Sequence, residues 1–217
     1  MCTGRHTKSC DENSEKFLTG KLTSFASADQ SCERFKALLE RLGVNIVSGG
    51  ELHQLFSVIH QMADWHNQIG KPPDGVDLRI QFRKMVGLTH LMDLALSLPE
   101  EQLTPFAGHF ELLNKGSPLQ NIPALANDPS SDKVFELLVG LAAVRAGALV
   151  SLDDPHHPKG DNPDVIARFA NDCWGFACKS VSGDAPATLF ERVEDGVRQI
   201  EASEVSRGFV TVNFKNR

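Results

Sequence analysis

The hydrophobic positions divide the chain into a helical first part and a mixed second part. Between residues 31 and 113, apolar side chains recur at intervals of three and four, the spacing of one helix face. This spacing predicts helices at about 31–42, 51–63 and 77–97, and a shorter one through Phe106, Phe110 and Leu113. The third helix is expected to bury Ile80, Met85, Leu88, Leu91, Met92 and Leu94.

The second part, from about residue 131, predicts strands as well as helices. In order, its elements are a helix from Ser131, strands at about 148–152, 162–169 and 173–180, a helix at 186–203 and a strand at 208–214. Loops join the first three strands, which predicts an antiparallel meander. The last strand follows a helical crossover, so we expect it to lie parallel to the third. The crossover helix is expected to turn its apolar face inward, with Leu189, Val193, Val197 and Ile200.

Composition marks three segments. Residues 1–30 are rich in Ser, Thr, Lys, Asp and Glu, and are expected to be weakly ordered. Residues 31–130 form the helical region, which ends in a predicted loop at 115–132 with several Pro, Ser and Asn residues. Residues 131–217 form the mixed part. Its last predicted strand lies next to the C-terminus of the sequence, which leaves a C-terminal truncation open.

Charge and hydropathy restrict the classes of partner. The net charge is −6, and the sequence has no basic tail or stripe, so a nucleic acid would have to bind in a local groove. No apolar run is long enough to span a bilayer, and the first residues lack the apolar core of a signal peptide. We therefore expect a cytoplasmic protein that makes no contact with a membrane.

The cysteines and histidines do not form a metal-binding pattern. The five cysteines are odd in number and include no CxxC pair, which argues against zinc ligation and against a disulfide framework. His53 and His60 could share a helix face, but no carboxylate or cysteine at helical spacing completes a site. We expect these two histidines to face solvent.

Glu136 is the one charged residue between Val134 and Val144, in a run that predicts a buried helix. A buried carboxylate is costly unless it is paired, so Glu136 needs a basic side chain, a backbone donor or a metal ion. An ordinary pairing with Lys133 near the start of the helix is the simpler alternative. Gly140 and Ala143 are expected to leave space beside the carboxylate.

Asp164 and Lys179 lie on neighbouring predicted strands. Asp164 follows Pro163 at the start of one strand, and Lys179 stands inside the otherwise apolar next strand. A carboxylate and an ammonium group are therefore expected side by side at one edge of the sheet. Gln199 and Arg192 share a face of the following helix.

These residues, in this order, resemble the PD-(D/E)XK nuclease superfamily over about residues 131–217. The family pattern is a Glu in the first helix, a Pro-Asp pair, an acid-any-lysine triplet and often a Gln on the next helix. It corresponds here to Glu136, Pro163-Asp164, Ala177-Cys178-Lys179 and Gln199. The resemblance implies an α/β (α+β) fold, with a restriction-endonuclease-like αβββαβ core and a helical N-terminal region outside it.

The resemblance also implies a Mg²⁺-dependent nuclease, with Mn²⁺ as a substitute, acting on DNA. Asp164 and an acid at position 177 would hold the metal ion, together with the backbone carbonyl of Cys178, and Glu136 would act through water. Lys179 would stabilise the transition state. Nucleic acid is then the expected partner, and a protein partner or a homodimer is left open.

Ala177 departs from the pattern, because the family has Asp or Glu at this position and alanine cannot bind a metal ion. This form is therefore expected to be inactive or weakened. Three explanations are open: an engineered inactivation, migration of the acid to Glu191 or Glu194, and a natural pseudo-enzyme. We favour the first, because the four other site residues remain. The alternative function is a non-catalytic nuclease-fold module that binds nucleic acid or a protein.

Overall fold

A computed structural model describes residues 24–67, 70–118, 129–153, 155, 162–182 and 185–215. Most of the segment predicted to be weakly ordered, the middle of the predicted loop at 115–132, and most of the turn after Leu152 lie outside the described residues. None of the helices in the described ranges is long and apolar enough to cross a membrane.

The helical region consists of three long helices followed by a chain of short turns. The long helices are α1 (Phe25–Arg41), α2 (Glu51–His66) and α3 (Leu78–Leu96). The short elements are α4 (Glu100–Leu103), a 3-10 turn (Thr104–Phe106), α5 (Ala107–Glu111) and a second 3-10 turn (Leu112–Asn114). The single helix predicted through Phe106 and Leu113 is therefore broken into several turns.

Helix α1 begins at Phe25, before the predicted start at Ser31. The true N-cap is Ser24, whose hydroxyl accepts a hydrogen bond from the amide of Ser27 at 3.0 Å. Ser24 and Ser31 can both cap a helix through their hydroxyl groups. The helix begins after Ser24 because its first turns then add Ala28 to the buried face that continues through Cys32. Residues 25–30 are therefore helical.

The mixed part contains two helices and four strands. The helices are α6 (Pro129–Arg145) and α7 (Pro186–Glu201), and the strands are β1 (Leu149–Leu152), β2 (Val165–Phe169), β3 (Asp172–Ser182) and β4 (Arg207–Lys215). The sheet order is β1-β2-β3-β4. Strands β1 to β3 pair antiparallel, and β4 pairs parallel to β3 after the α7 crossover, which confirms both pairing predictions. The protein is thus a mixed α/β structure with a four-stranded mixed sheet.

One hydrophobic core joins the helical region to α6. Buried residues of α1 to α5 and of α6 belong to the same cluster, among them Phe106, Leu137 and Leu141. The contact is close at Gly140, where a Cβ atom would lie 2.7 Å from Cε1 of Phe106. The space that the sequence predicted beside Gly140 is therefore filled, since Phe106 of the helical region packs into it.

Two predicted core positions are exposed. Ile80 is 46% exposed on the first turn of α3, because the other long helices pack on α3 further along, where Met85 and Leu88 are buried. Val197 of α7 is 40% exposed, because α7 meets the sheet through a glycine: a Cβ on Gly196 would lie 2.7 Å from Val210. With Gly196 facing the sheet, Val197 lies on a flank of α7 that is partly outside the core.

Cys32 is expected to resist thiol reagents in the native protein. It is fully buried on α1, and burial raises the pKa of its thiol to about 12, so almost no thiolate forms at pH 8. Iodoacetamide labelling at pH 8, read by peptide mass spectrometry, should leave Cys32 unmodified and should label the half-buried Cys173. Labelling of both at similar rates would contradict the burial of Cys32.

Candidate functional site

The candidate site lies where β2 and β3 separate. Their pairing ends with Val165 of β2 opposite Phe176 of β3. Strand β3 continues to Ser182, paired on its other side with β4. From Ala177 onward, one edge of β3 is therefore open towards the chain that precedes β2.

Asp164 occupies this opening, immediately before the first residue of β2. Its carboxylate Oδ2 accepts a hydrogen bond from the backbone amide of Cys178 at 2.7 Å. Asp164 is 1% exposed, so this is a buried, charge-assisted hydrogen bond. The carboxylate replaces the strand partner that the Cys178 amide would otherwise have in β2.

Lys179 and Gln199 meet on the α7 side of the sheet. The ammonium group of Lys179 donates a hydrogen bond to Oε1 of Gln199, and only 7% of Lys179 is exposed. Side chains alternate along a strand, so Ala177 lies on the same face as Lys179. Ala177 is completely buried there. The structure thus brings Asp164, Ala177, Lys179 and Gln199 to one region of the sheet.

Glu136 is buried in α6, with 1% exposed. Its Oε2 accepts a hydrogen bond from Nζ of Lys133 at 2.8 Å, and lies 3.7 Å from Nε2 of His109. The simpler alternative, a local pairing with Lys133, is therefore present. His109 belongs to the helical region and is itself 1% exposed, and no pattern in the sequence indicates that it approaches Glu136.

The N-terminal end of α6 is fixed to the end of the sheet. Nζ of Lys215, the last residue of β4, lies 2.7 Å from Oδ1 of Asp132 on α6. Asp164 and Lys179 are placed by the sheet and by α7, whereas the described contacts of Glu136 are on α6 and in the helical region. The described contacts of Glu136 therefore lie in other layers of the structure than those of Asp164 and Lys179.

The donors at the sheet do not fit the Mg²⁺ ion that the resemblance implies. Mg²⁺ prefers oxygen ligands and is usually held by one or two carboxylates. Position 177 offers only a methyl group, and one oxygen of Asp164 is engaged by the Cys178 amide. Within the described ranges, no group of three or more His, Cys, Asp or Glu side chains is arranged to hold a metal ion. The described residues at this part of the sheet therefore lack the donors for such a site.

Glu191 and Glu194, the candidates for a migrated acid, are both exposed on α7. Gln199 on the same helix is directed at Lys179. The face of α7 that carries Gln199 is the one directed at the site, and both glutamates are exposed. Their positions therefore argue against migration of the acid. Arg192, expected to share a face with Gln199, is also exposed.

Of the two histidines that were expected to face solvent, His53 is exposed as predicted and His60 is partly buried. Nδ1 of His60 on α2 forms a hydrogen bond with the side chain of Asp29 on α1, and Nε2 of His60 lies 3.1 Å from Nζ of Lys36. A lysine ammonium group at this distance opposes the binding of a cation. His60 therefore links two helices rather than lying free in solvent.

No protein-family model, no curated protein and no solved structure matches the chain. Inference about function therefore rests on this chain's own residues and fold.

Removal of the Asp164 carboxylate is expected to destabilise the protein. Asp164→Ala leaves the buried Cys178 amide without this acceptor and should lower the free energy of unfolding by about 1–3 kcal/mol. Asp164→Asn keeps an acceptor oxygen and is the matched control, with a smaller loss. Urea denaturation followed by circular dichroism measures both. Equal stability of Asp164→Ala and the parent would contradict the role of Asp164 as the acceptor for the Cys178 amide.

Proposed function

We propose that residues 131–217 form a nuclease core of the PD-(D/E)XK type, with the restriction-endonuclease-like αβββαβ fold, in which the phosphodiester-cleaving site is disabled or weakened at Ala177. The observation that carries the proposal is the separation of β2 and β3 at Asp164, with Lys179 and Gln199 beside it. A buried acid and a buried lysine lie at the point where β2 and β3 separate.

The residues present suit the binding and orientation of a phosphate group. Lys179 is buried beside the opening, and a lysine ammonium group can bind the oxygens of a phosphate through its charge and its hydrogen bonds. The amide of Gln199 fixes the direction of the lysine side chain. The metal ion implied by the resemblance, Mg²⁺ or Mn²⁺, is expected to bind only when position 177 carries a carboxylate.

The substrate class follows from the resemblance rather than from the surface charge. The chain has a net charge of −6, so nonspecific attraction of a polyanion is weak, and contact must be local. DNA is the proposed nucleic acid and the cytoplasm the proposed location.

A second function is a non-catalytic module that binds nucleic acid or a protein. The observation that favours it is the structural use of the Asp164 carboxylate, which accepts from the Cys178 amide while position 177 offers no ligand. A carboxylate used in this way stabilises the fold, and this role does not require the site to catalyse a reaction.

The test is a nuclease assay on supercoiled plasmid, linear duplex DNA, single-stranded DNA and RNA, with Mg²⁺ or Mn²⁺. The parent is expected to leave all four intact or to cut very slowly, and Ala177→Glu is expected to cut at least one. If neither protein cuts any of them while both bind one, the second function is the better one. A parent that cuts rapidly, and continues to do so after Asp164→Asn, contradicts the proposed site.

A further inference from the structure

The outer edge of β4 is unpaired with respect to the strands that the structure describes. Strand β4 is the last in the sheet order, and no described strand pairs with its outer side. It carries two exposed aromatic side chains, Phe209 at 51% and Phe214 at 55%, one on each face of the sheet. A long edge strand with exposed apolar residues is a surface on which another strand pairs readily.

Helix α7 presents exposed apolar residues beside the same edge. Gly196 points at Val210 of β4, and Gln199 points towards Lys179 of β3. Residues of a helix are spaced by about 100° around its axis, so Phe190 and Val197 lie on the side of Gly196 opposite to Gln199. That flank overhangs the open edge of β4, and there Phe190 is 67% and Val197 is 40% exposed.

We propose that this surface, formed by the outer edge of β4 and the exposed flank of α7, binds a second copy of the same chain. The two β4 strands would pair antiparallel about a two-fold axis at Thr211, giving one continuous sheet. This register places Val210 opposite the second copy's Val212, and places Gly208 opposite the second copy's Phe214.

The helix positions agree with this axis. Helix α7 runs antiparallel to β4, since Gly196 meets Val210 and Ile200 meets Gly208. With a rise of about 1.5 Å per helix residue and about 3.3 Å per strand residue, the level of Thr211 lies between Val193 and Glu194.

Phe190 and Val197 lie at nearly equal distances on the two sides of that level. A two-fold axis therefore brings Phe190 of one copy opposite Val197 of the other. Because α7 contacts both β3 and β4, its axis lies about midway between them, one strand spacing of about 4.8 Å from the two-fold axis. The two α7 helices are then about 10 Å apart, which is a helix-packing distance. This symmetry favours a second copy over an unrelated partner, which would not require it.

Charge and area are also compatible with a dimer. The register sets Arg207 opposite the second copy's Lys215, and each cation has its own carboxylate: Asp172 at 4.0 Å and Asp132 at 2.7 Å. Taking about 200 Å² per phenylalanine, the three exposed rings leave roughly 350 Å² uncovered per copy. Stable interfaces bury about 800 Å² per partner, and the strand edge with Val197 adds to the aromatic contribution.

The experiment is sedimentation velocity of the full chain over a concentration series. The parent is expected to show a monomer–dimer equilibrium. Phe190→Glu should raise the dimer dissociation constant by about 100-fold, because each dimer contains the contact twice. Val197→Lys should act similarly, and the chain carrying both substitutions should recover the dimer, since each glutamate then faces a lysine of the other copy.

Leu149→Glu is the matched control. Leu149 is 74% exposed on β1, the opposite edge strand, so its replacement should leave the dissociation constant unchanged. A parent that is monomeric at every concentration overturns the proposal. So does a dimer that survives Phe190→Glu, or a loss of dimer that the double substitution does not reverse.

Discussion

Ala177→Glu is expected to produce Mg²⁺-dependent strand cleavage that exceeds that of the parent by orders of magnitude. The new carboxylate would lie on the face of β3 that carries Lys179, beside the opening occupied by Asp164. It would supply the second charged ligand that the present donors lack. Losing a metal ligand commonly costs orders of magnitude in rate, so the gain should be of similar size.

The substitution must also fit. Ala177 is completely buried, and a larger side chain there is expected to cost about 1–3 kcal/mol of stability through overpacking. The ammonium group of the nearby Lys179 offsets part of the cost of burying a new charge. Ala177→Asp places a carboxylate on a shorter side chain, and it serves as a second variant if the glutamate unfolds the protein.

Cleavage is measured as conversion of supercoiled plasmid to the nicked form with Mg²⁺ or Mn²⁺. Ala177→Gln, which has nearly the size of glutamate without its charge, is the matched control and should not cut. Ala177→Glu combined with Asp164→Asn should not cut either. A parent that already cuts at the rate of Ala177→Glu, and loses activity on Glu191→Ala or Glu194→Ala, would show that the acid has migrated.

Phe106→Ala is expected to lower the free energy of unfolding by about 3–5 kcal/mol. Phe106 is 1% exposed and packs against Gly140, so its ring joins the helical region to α6 and to the core they share. Removal of the ring leaves a cavity between the two parts. Because the core is continuous, both parts should lose stability together.

Urea denaturation tests this in a Trp65→Phe background, which leaves Trp174 as the one tryptophan of the sequence. Helix content is followed by circular dichroism, and the sheet by the fluorescence of Trp174. The two probes should give one coincident transition at a lower urea concentration than in the parent. Phe82→Ala, at a 49% exposed position of α3, is the control and should change little. Two separate transitions, or release of a folded 131–217 fragment by limited proteolysis, would contradict a shared core.

Much of the fold could be predicted from local pattern. The long helices show the helical spacing of apolar residues, and caps such as Asp77, which accepts from the Arg79 amide, have side chains that encode a start. Sheet pairing followed from connection length, because short loops favour antiparallel strands and a helical crossover favours a parallel one. These features depend on neighbours in sequence.

The errors concern contacts between distant segments. The predicted start of α1 is late because Ser24 and Ser31 can both cap the helix. The exposure of Ile80 and Val197 depends on which part of a helix its partner covers, and periodicity does not specify this. Phe106 fills the space beside Gly140, and His109 approaches Glu136, only because the helical region packs on α6.

For the candidate site, the sequence indicates which residues take part but not which hydrogen bonds they form. Asp164 and Lys179 could be found because charged groups are unusual in apolar strands. The hydrogen bond of Asp164 to the Cys178 amide depends on where β2 begins, which is three residues later than the predicted start at 162. The pairing of Lys179 with Gln199 required the orientation of α7, which Gly196 determines by its close approach to β4.

Binding of Mn²⁺, measured by isothermal titration calorimetry, tests the disabled site most directly, because it does not depend on which nucleic acid is the substrate. Ala177→Glu is expected to bind Mn²⁺ at least about 10-fold more tightly than the parent, and addition of Asp164→Asn should remove the gain. Equal binding by the parent and Ala177→Glu, or a gain that persists after Asp164→Asn, would contradict the conclusion that Ala177 stands in place of a metal-binding acid.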